Sequence, residues 1–309
     1  MLSRTADNLF WLGRYTERAA NVARGLSVAL RMSSLAAQLG AEGDEWRSLL
    51  IATGCEPAFF KKYAEPNQDN VVDFLVLDPD NPTGIFSCFA AARHNARSVR
   101  TALTVDMWGA LNDSWNALRI AEFKGERLPG FLEWVRERVL LFNGAAHDTM
   151  LRGEPWLFVQ LGTALERADN TARLLDVKHN LLAPVQQATV EYAQWQAILQ
   201  SVSALRAYHW VYRDRLEPAK IAELLILRPE LPRSLTACHG RVLEVLDAIA
   251  NGQGGRRGEC HRMAGELHAR LRFGRIQDIL AAGLHDYLTD MITRTAALGD
   301  EIDAFYIRA

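Results

Sequence analysis

The sequence predicts an all-α protein, an internally duplicated helical bundle, and three observations carry that prediction. Strand-like alternation of apolar and polar residues is nearly absent along the 309 residues. Prolines fall in clusters, with long proline-free stretches of helical periodicity between them. Finally, the stretch LGRYTERAANVARGL (Leu12 to Leu26) recurs as LGTALERADNTARLL (Leu161 to Leu175), with nine of fifteen positions identical. Ordinary residue usage would give about one or two matches by chance.

Taken in order, the elements are bounded by punctuation and patterned for burial. The stripe Leu161, Leu165, Ala168, Ala172 and Leu175 has the 3.6-residue spacing of one helix face. Trp46 and Trp195 stand at the same offset of 149, each leading an aliphatic-rich helix. The leucine- and valine-rich runs VVDFLVL and AELLIL each stop at a proline, which terminates a helix. At an offset of 150, LVLDPDNPTGIFSC (Leu75 to Cys88) lies on LILRPELPRSLTAC (Leu225 to Cys238). Near the ends, GFLEWV from Gly130 resembles GLHDYL from Gly283. A period near 150 is too long for a solenoid. The expected organisation is a first helical repeat over 1–148 and a second over 149–309. Each would have about five helices, and the two would pack as one compact unit about a pseudo-two-fold axis. The glycine-rich NGQGGRRG (Asn251 to Gly258) follows a helical pattern rather than a strand, so it is expected to be a surface connection and not a phosphate cradle.

Composition narrows the function. Apolar residues are 49% and charged residues 23%, an ordinary globular balance. A net charge of −2 gives no electrostatic reason for a nucleic-acid or membrane partner. The four cysteines (Cys55, Cys88, Cys238, Cys260) form no C-x-x-C pair, which suits free thiols in a reducing compartment. With no apolar run long enough for a signal peptide or a bilayer span, a cytoplasmic location is expected.

The repeated stretch also carries the principal candidate site. On a helix Glu17, Asn21 and Arg24 lie at i, i+4 and i+7, and so share a face. Glu166, Asn170 and Arg173 repeat the set. Gly13 and Gly162 lie one turn earlier, where a mid-helix glycine costs about 1 kcal/mol against alanine and so implies close backbone approach. Arg18 and Arg167 project about 100° away from this polar face. Retention of the set in both halves argues against a merely solvated face. A buried ion-pair network and a ligand site both remain open.

The N-terminal MLSRTADNLFWLGRYTERAANVARGL, the second Glu-Arg helix, the LILRPELPRSL segment and RHNARSVRTALTVDMWGALN together resemble the bacterial alpha-E domain family. The resemblance spans essentially the whole chain. It places the family's Glu-Arg signature on Glu17, Arg18, Glu166 and Arg167. RHNARSVR has His94 where the family more commonly has an acidic residue, which leaves no carboxylate at that point. Family members typically accompany a circularly permuted ATP-grasp protein, with a transglutaminase-like protease often nearby. What this implies is a part in an ATP-dependent amide-forming or peptide-tailoring system. ATP and Mg would then sit on the partner ligase, and no cofactor is expected in this chain.

Other constellations are weaker. Arg93, Arg97 and Arg100 at i, i+4 and i+7 could grip phosphate or carboxylate, or form a basic surface stripe. Arg206, His209 and Arg213 have similar spacing among tyrosines. Trp108, Asn112 and Trp115 share a face that reads as core, in which case Asn112 needs a buried partner. No metal centre is expected: Glu-x-x-His and HExxH are absent, and His261 and His268 with Glu259 and Glu266 read as exposed polar residues. No G-x-S-x-G occurs, and Cys88 and Cys238 read as small buried residues.

The leading expectation is therefore a helical partner or co-catalytic subunit of an ATP-grasp system. It would bind a peptide or amino-acid substrate in a polar groove, with arginines taking carboxylate and glutamates taking amine. Two alternatives stand beside it: an enzyme acting on amide bonds with Glu17 or Glu166 as general base, and a purely structural adaptor. An adjacent arginine lowers a carboxylate's pKa, which counts against the general base.

Overall fold

A computed structural model describes residues 1–38, 44–181 and 188–308. Pro184 lies outside them. The described residues are helical, without strands. Two long helices, α1 (Ser3–Gln38) and α8 (Glu154–Leu181), form the axis of the molecule and pack most extensively on each other. Their length follows from sequence, because neither carries a proline beyond its first turn. In α1 the buried residues Leu9, Phe10, Leu12, Ala19, Ala20, Val22 and Ala23 fall on every side, as expected of a central helix.

Between them come α2 (Glu45–Ala52), α3 (Glu56–Phe59), α4 (Gln68–Val76), α5 (Ile85–Ser98), α6 (Val105–Leu118) and α7 (Leu128–Thr149). After α8 come α9 (Ala188–Ser201), α10 (Leu205–Tyr212), α11 (Pro218–Ile226), α12 (Leu235–Gly252), α13 (Glu259–Arg272), α14 (Ile276–Ala282) and α15 (Leu284–Ile302). Seven helices thus precede residue 150 and eight follow it among the described residues, more than the five expected on each side. The excess consists of short helices such as α3 and α14, which are too brief for a periodic stripe to register.

The valine- and leucine-rich runs are α4 and α11, each ending three residues before its proline. Asn67, Thr104 and Ser234 cap α4, α6 and α12 by accepting from the backbone N–H three residues on. α5 and α7 pack on α1, while α12 and α15 pack on α8. The short tryptophan helices cross over: α2, with buried Trp46, lies against α8, and α9, with buried Trp195, lies against α1. Asn251 and Gly252 still belong to α12. The rest of the glycine-rich segment turns at the surface, with Gly254 and Gly255 at φ +77° and +83°.

α1 and α8 cross at their glycines. A Cβ on Gly13 would overlap the Val159 carbonyl oxygen and stand 3.0 Å from the Thr163 nitrogen. One on Gly162 would overlap the Phe10 carbonyl oxygen and stand 2.9 Å from its carbon. Backbone meets backbone here. That close approach brings the next turn of each helix, with its glutamate, into the interior.

Candidate functional site

Glu17 and Glu166 are fully buried one turn beyond the crossing glycines, and each is held by arginines from elsewhere in the chain. Glu17 accepts from Arg167 Nη2 at 2.9 Å and from Arg233 Nη1 at 2.8 Å, and Arg24 Nη1 stands 3.7 Å away. Glu166 accepts from Arg18 through both oxygens, at 2.6 and 2.9 Å, and from Arg14 Nε at 2.8 Å. The two Glu-Arg dipeptides therefore trade partners: the glutamate of each helix receives the arginine of the other. Arg18 and Arg167, expected off the polar face, are the cross-helix partners, because the side facing a neighbouring helix is wider than a single i, i+4, i+7 line.

Electrostatics follow from this packing. Burial alone would raise both carboxyl pKa values, but the surrounding guanidinium groups outweigh it. Glu166 is held down to about 2 by Arg18 and Arg14, and Glu17 falls still further under Arg167, Arg233 and Arg24. Burial and then Arg233 pull Arg24 down to about 9, which leaves it protonated at neutral pH. Behind the network, burial pushes Cys88 up to about 12 and Cys238 up to about 11, so neither is a thiolate nucleophile at neutral pH.

The two glutamates differ in access. A cleft of about 240 Å³ lies alongside the crossing and is lined by Arg14, Arg18, Asn21, Glu166, Asp169, Asn170 and Arg173. Val22, Thr53 from the end of α2, Thr83 just before α5, and Thr295 and Ala296 from α15 complete its wall. Glu17 does not line it. A neighbouring pocket on the Arg24 and Arg233 side is only about 40 Å³. Within the cleft, Asp169 Oδ2 accepts from Arg173 Nε at 2.7 Å, and burial, then the charge of Glu166, raises the Asp169 pKa against the pull of Arg173. Asn21 Oδ1 accepts from Arg24 at 3.1 Å, while its Nδ2 has no partner. Asn170 donates to the Glu166 carbonyl at 2.7 Å.

Sequence reasoning missed Arg14, Arg233 and Asp169. At the offsets of the internal match they face Thr163, Thr83 and Ala20, so they sit where the two halves disagree. Those mismatches were the available signal. Arg93, Arg97 and Arg100 do not reach the cleft. α5 ends at Ser98, which puts Arg100 in a 3-10 turn (Arg100–Ala102) and off the expected helix face. Arg93 donates to Asn112 at 3.1 Å, which gives that asparagine its partner, and both Arg93 and Arg100 lie over the Trp108 ring. Arg206, His209 and Arg213 are exposed, with Arg213 past the end of α10 at φ +51°. His261, expected at the surface, is buried, with Nε2 3.1 Å from the Tyr306 hydroxyl.

Stability should depend on pH in two stages. His239 is buried beside Thr295, and burial, then His268, pushes its pKa from 6.5 to about 4. Glu166 is lowered from 4.5 to about 2. In both windows the unfolded chain binds more protons than the folded one, so stability rises with pH through each. The His239 contribution is complete above about pH 6.5 and is lost towards pH 4. The glutamate contribution is complete above about pH 4.5 and is lost towards pH 2. Urea midpoints measured from pH 8 to pH 3 should fall first below 6.5 and more steeply below 4.5. A flat profile between 8 and 4.5 would remove His239 from the account.

This arrangement defines an all-helical protein whose two longest helices are clamped by reciprocal buried Glu–Arg pairs. The chain belongs to the Alpha-E family, whose model, described as a predicted alpha-helical domain with a conserved ER motif, matches residues 1–307. Uncharacterised proteins of Mycobacterium bovis and Mycobacterium tuberculosis are 25% identical to it over 331 aligned residues. The alignment takes in 97% of this chain and 36% of each relative, so the chain spans about a third of the length of these curated relatives. No solved structure matches it. No helix among the described residues is long and apolar enough to cross a membrane.

Proposed function

We propose that the protein is a helical partner subunit of an ATP-grasp-dependent amide-forming or peptide-tailoring system, and that it binds an amino-acid or peptide substrate in the cleft between α1 and α8. In this reading the chain is a duplicated domain, with repeats over 1–148 and 149–309 related by a pseudo-two-fold axis through the Gly13–Gly162 crossing. The partner ligase carries ATP and Mg, and the system works in the cytoplasm. The observation that carries the reading is the cleft itself: charged, lined from both long helices and three other elements, with Glu166 but not Glu17 in its wall. The relatives lend support, since the larger part of each is other sequence, as expected for a domain that works beside others.

The buried glutamates act here as organisers of the arginines, not as ligands for an amine. A carboxylate held at about 2 and doubly bonded to arginines has little proton affinity at neutral pH, which weighs against Glu166 as a general base. The test is to purify the chain with a circularly permuted ATP-grasp protein from the same organism, supply ATP, Mg and amino acids, and follow products by mass spectrometry. Co-elution and a product that depends on both chains are expected. If the two chains elute separately and the ligase turns over equally well alone, the reading fails.

A further inference from the structure

We infer that the α1–α8 cleft recognises a free dicarboxylic α-amino acid, with its ammonium on Asp169 and its carboxylates on Arg14 and Arg173. The inference rests on the binding role proposed above and specifies the ligand's chemistry.

Three features of the cleft carry it. The first is charge: Arg14, Arg18 and Arg173 line it against Glu166 and Asp169, an excess of one positive charge. A partly desolvated site with that excess favours a ligand of net charge −1 over a neutral zwitterion. The second is the supply of donors. Arg14 engages Glu166 through Nε alone, leaving both of its terminal nitrogens for a ligand. Arg173 uses Nε for Asp169 and Nη1 for the Ala52 carbonyl, leaving Nη2. Asn21 Nδ2 is a buried donor with no partner, an arrangement that ordinarily marks a missing acceptor. The two arginines stand on different helices, so they suit two separate carboxylates better than one. The third is acceptors: Asp169 and Asn170 both line the cleft, and Asp169 Oδ1 and Asn170 Oδ1, which take no hydrogen bond from the protein, are available to an ammonium.

The internal comparison adds an independent reason. Asp169 corresponds to Ala20 and Arg14 to Thr163, so the two charged residues that distinguish this cleft have no charged counterpart on the matched face. On the Glu17 side the corresponding space holds Arg24 and Arg233 around about 40 Å³. One of two matched polar faces has closed into a structural clamp, and the other is equipped for a ligand.

Calorimetric titration of the full chain with L-glutamate, L-glutamine, glutarate and inorganic phosphate tests this. L-glutamate should bind about tenfold or more tightly than L-glutamine, which lacks the second charge, and than glutarate, which lacks the ammonium. In Asp169→Asn the advantage over glutarate should vanish while glutarate binding is retained. In Asn21→Ala, both L-glutamate and glutarate should weaken together. Circular dichroism establishes that each variant is folded, and Asn21→Ala keeps the idea testable if Asp169→Asn is not. Equal affinity for glutarate and L-glutamate in the unmodified chain, tighter binding of phosphate, or no binding of any of the four overturns the inference. Co-elution with the ATP-grasp protein is scored on the same preparations. If co-elution holds but L-glutamate shows no preference, the ligand assignment alone fails. If L-glutamate is preferred and co-elution is lost, the partner assignment fails and the site stands.

Discussion

Glu17→Ala should destabilise the protein by about 3–5 kcal/mol, the range for breaking a buried ion pair from one side. The Glu17 carboxylate is fully buried and is the common acceptor for Arg167 and Arg233, with Arg24 at 3.7 Å. Its removal leaves three guanidinium groups facing one another with no counter-charge in reach. Arg24 has the least escape, since its side chain is 7% exposed and its Nε already lacks a partner. Urea denaturation followed by circular dichroism should show a large fall in midpoint at an unchanged m-value. Glu166→Ala should cost less, because Arg14 and Arg18, about a fifth exposed, border the cleft and can turn towards water. A loss below about 1 kcal/mol for Glu17→Ala would mean that the arginines relax freely, and the clamp would not be structural.

The second large effect has a sign opposite to local propensity. Alanine is a better helix former than glycine by about 1 kcal/mol, so Gly162→Ala judged on α8 alone would stabilise. At the crossing, however, its Cβ would overlap the Phe10 carbonyl, and rigid backbone cannot step aside as a side-chain tip would. The helices must separate, with loss of about 2–3 kcal/mol or more as overpacking spreads through the adjoining core. Gly265→Ala is the matched control: this glycine lies within α13, nothing stands within 4 Å of its prospective Cβ, and a gain of up to about 1 kcal/mol is expected. If both substitutions shift the thermal midpoint in the same direction, the close crossing is not what retains Gly162.

The all-helical class was legible because proline placement and apolar spacing are local properties, and α4 and α11 stop where their prolines require. Glu17, Arg18, Glu166 and Arg167 stood out because they match across the chain. The partners that complete their coordination did not, since Arg14 and Arg233 fill equivalent roles from non-equivalent positions. Asp169 escaped notice for the same reason: attention to agreement between the halves hides the residues where they diverge. The Arg93–Arg97–Arg100 face assumed a helix that continues past Ser98, but no proline or glycine marks the break there. His261 could not be assigned to the interior from its neighbours, because the hydroxyl that satisfies it belongs to Tyr306, 45 positions away.

The exchange of partners between α1 and α8 also imposes a timetable on synthesis. The two arginines hydrogen-bonded to Glu17, Arg167 on α8 and Arg233 just before α12, lie 150 and 216 positions further along the chain. A ribosome adding about 5–20 residues per second would leave α1 waiting on the order of ten seconds before α8 emerges. Throughout that interval Leu9, Phe10 and Leu12, later at the centre of the molecule, have no mate from the second half. Folding that depends on such distant pairings is slow, because loop closure precedes the contacts that reward it. Helix α1 is thus made well before the helix that completes its burial.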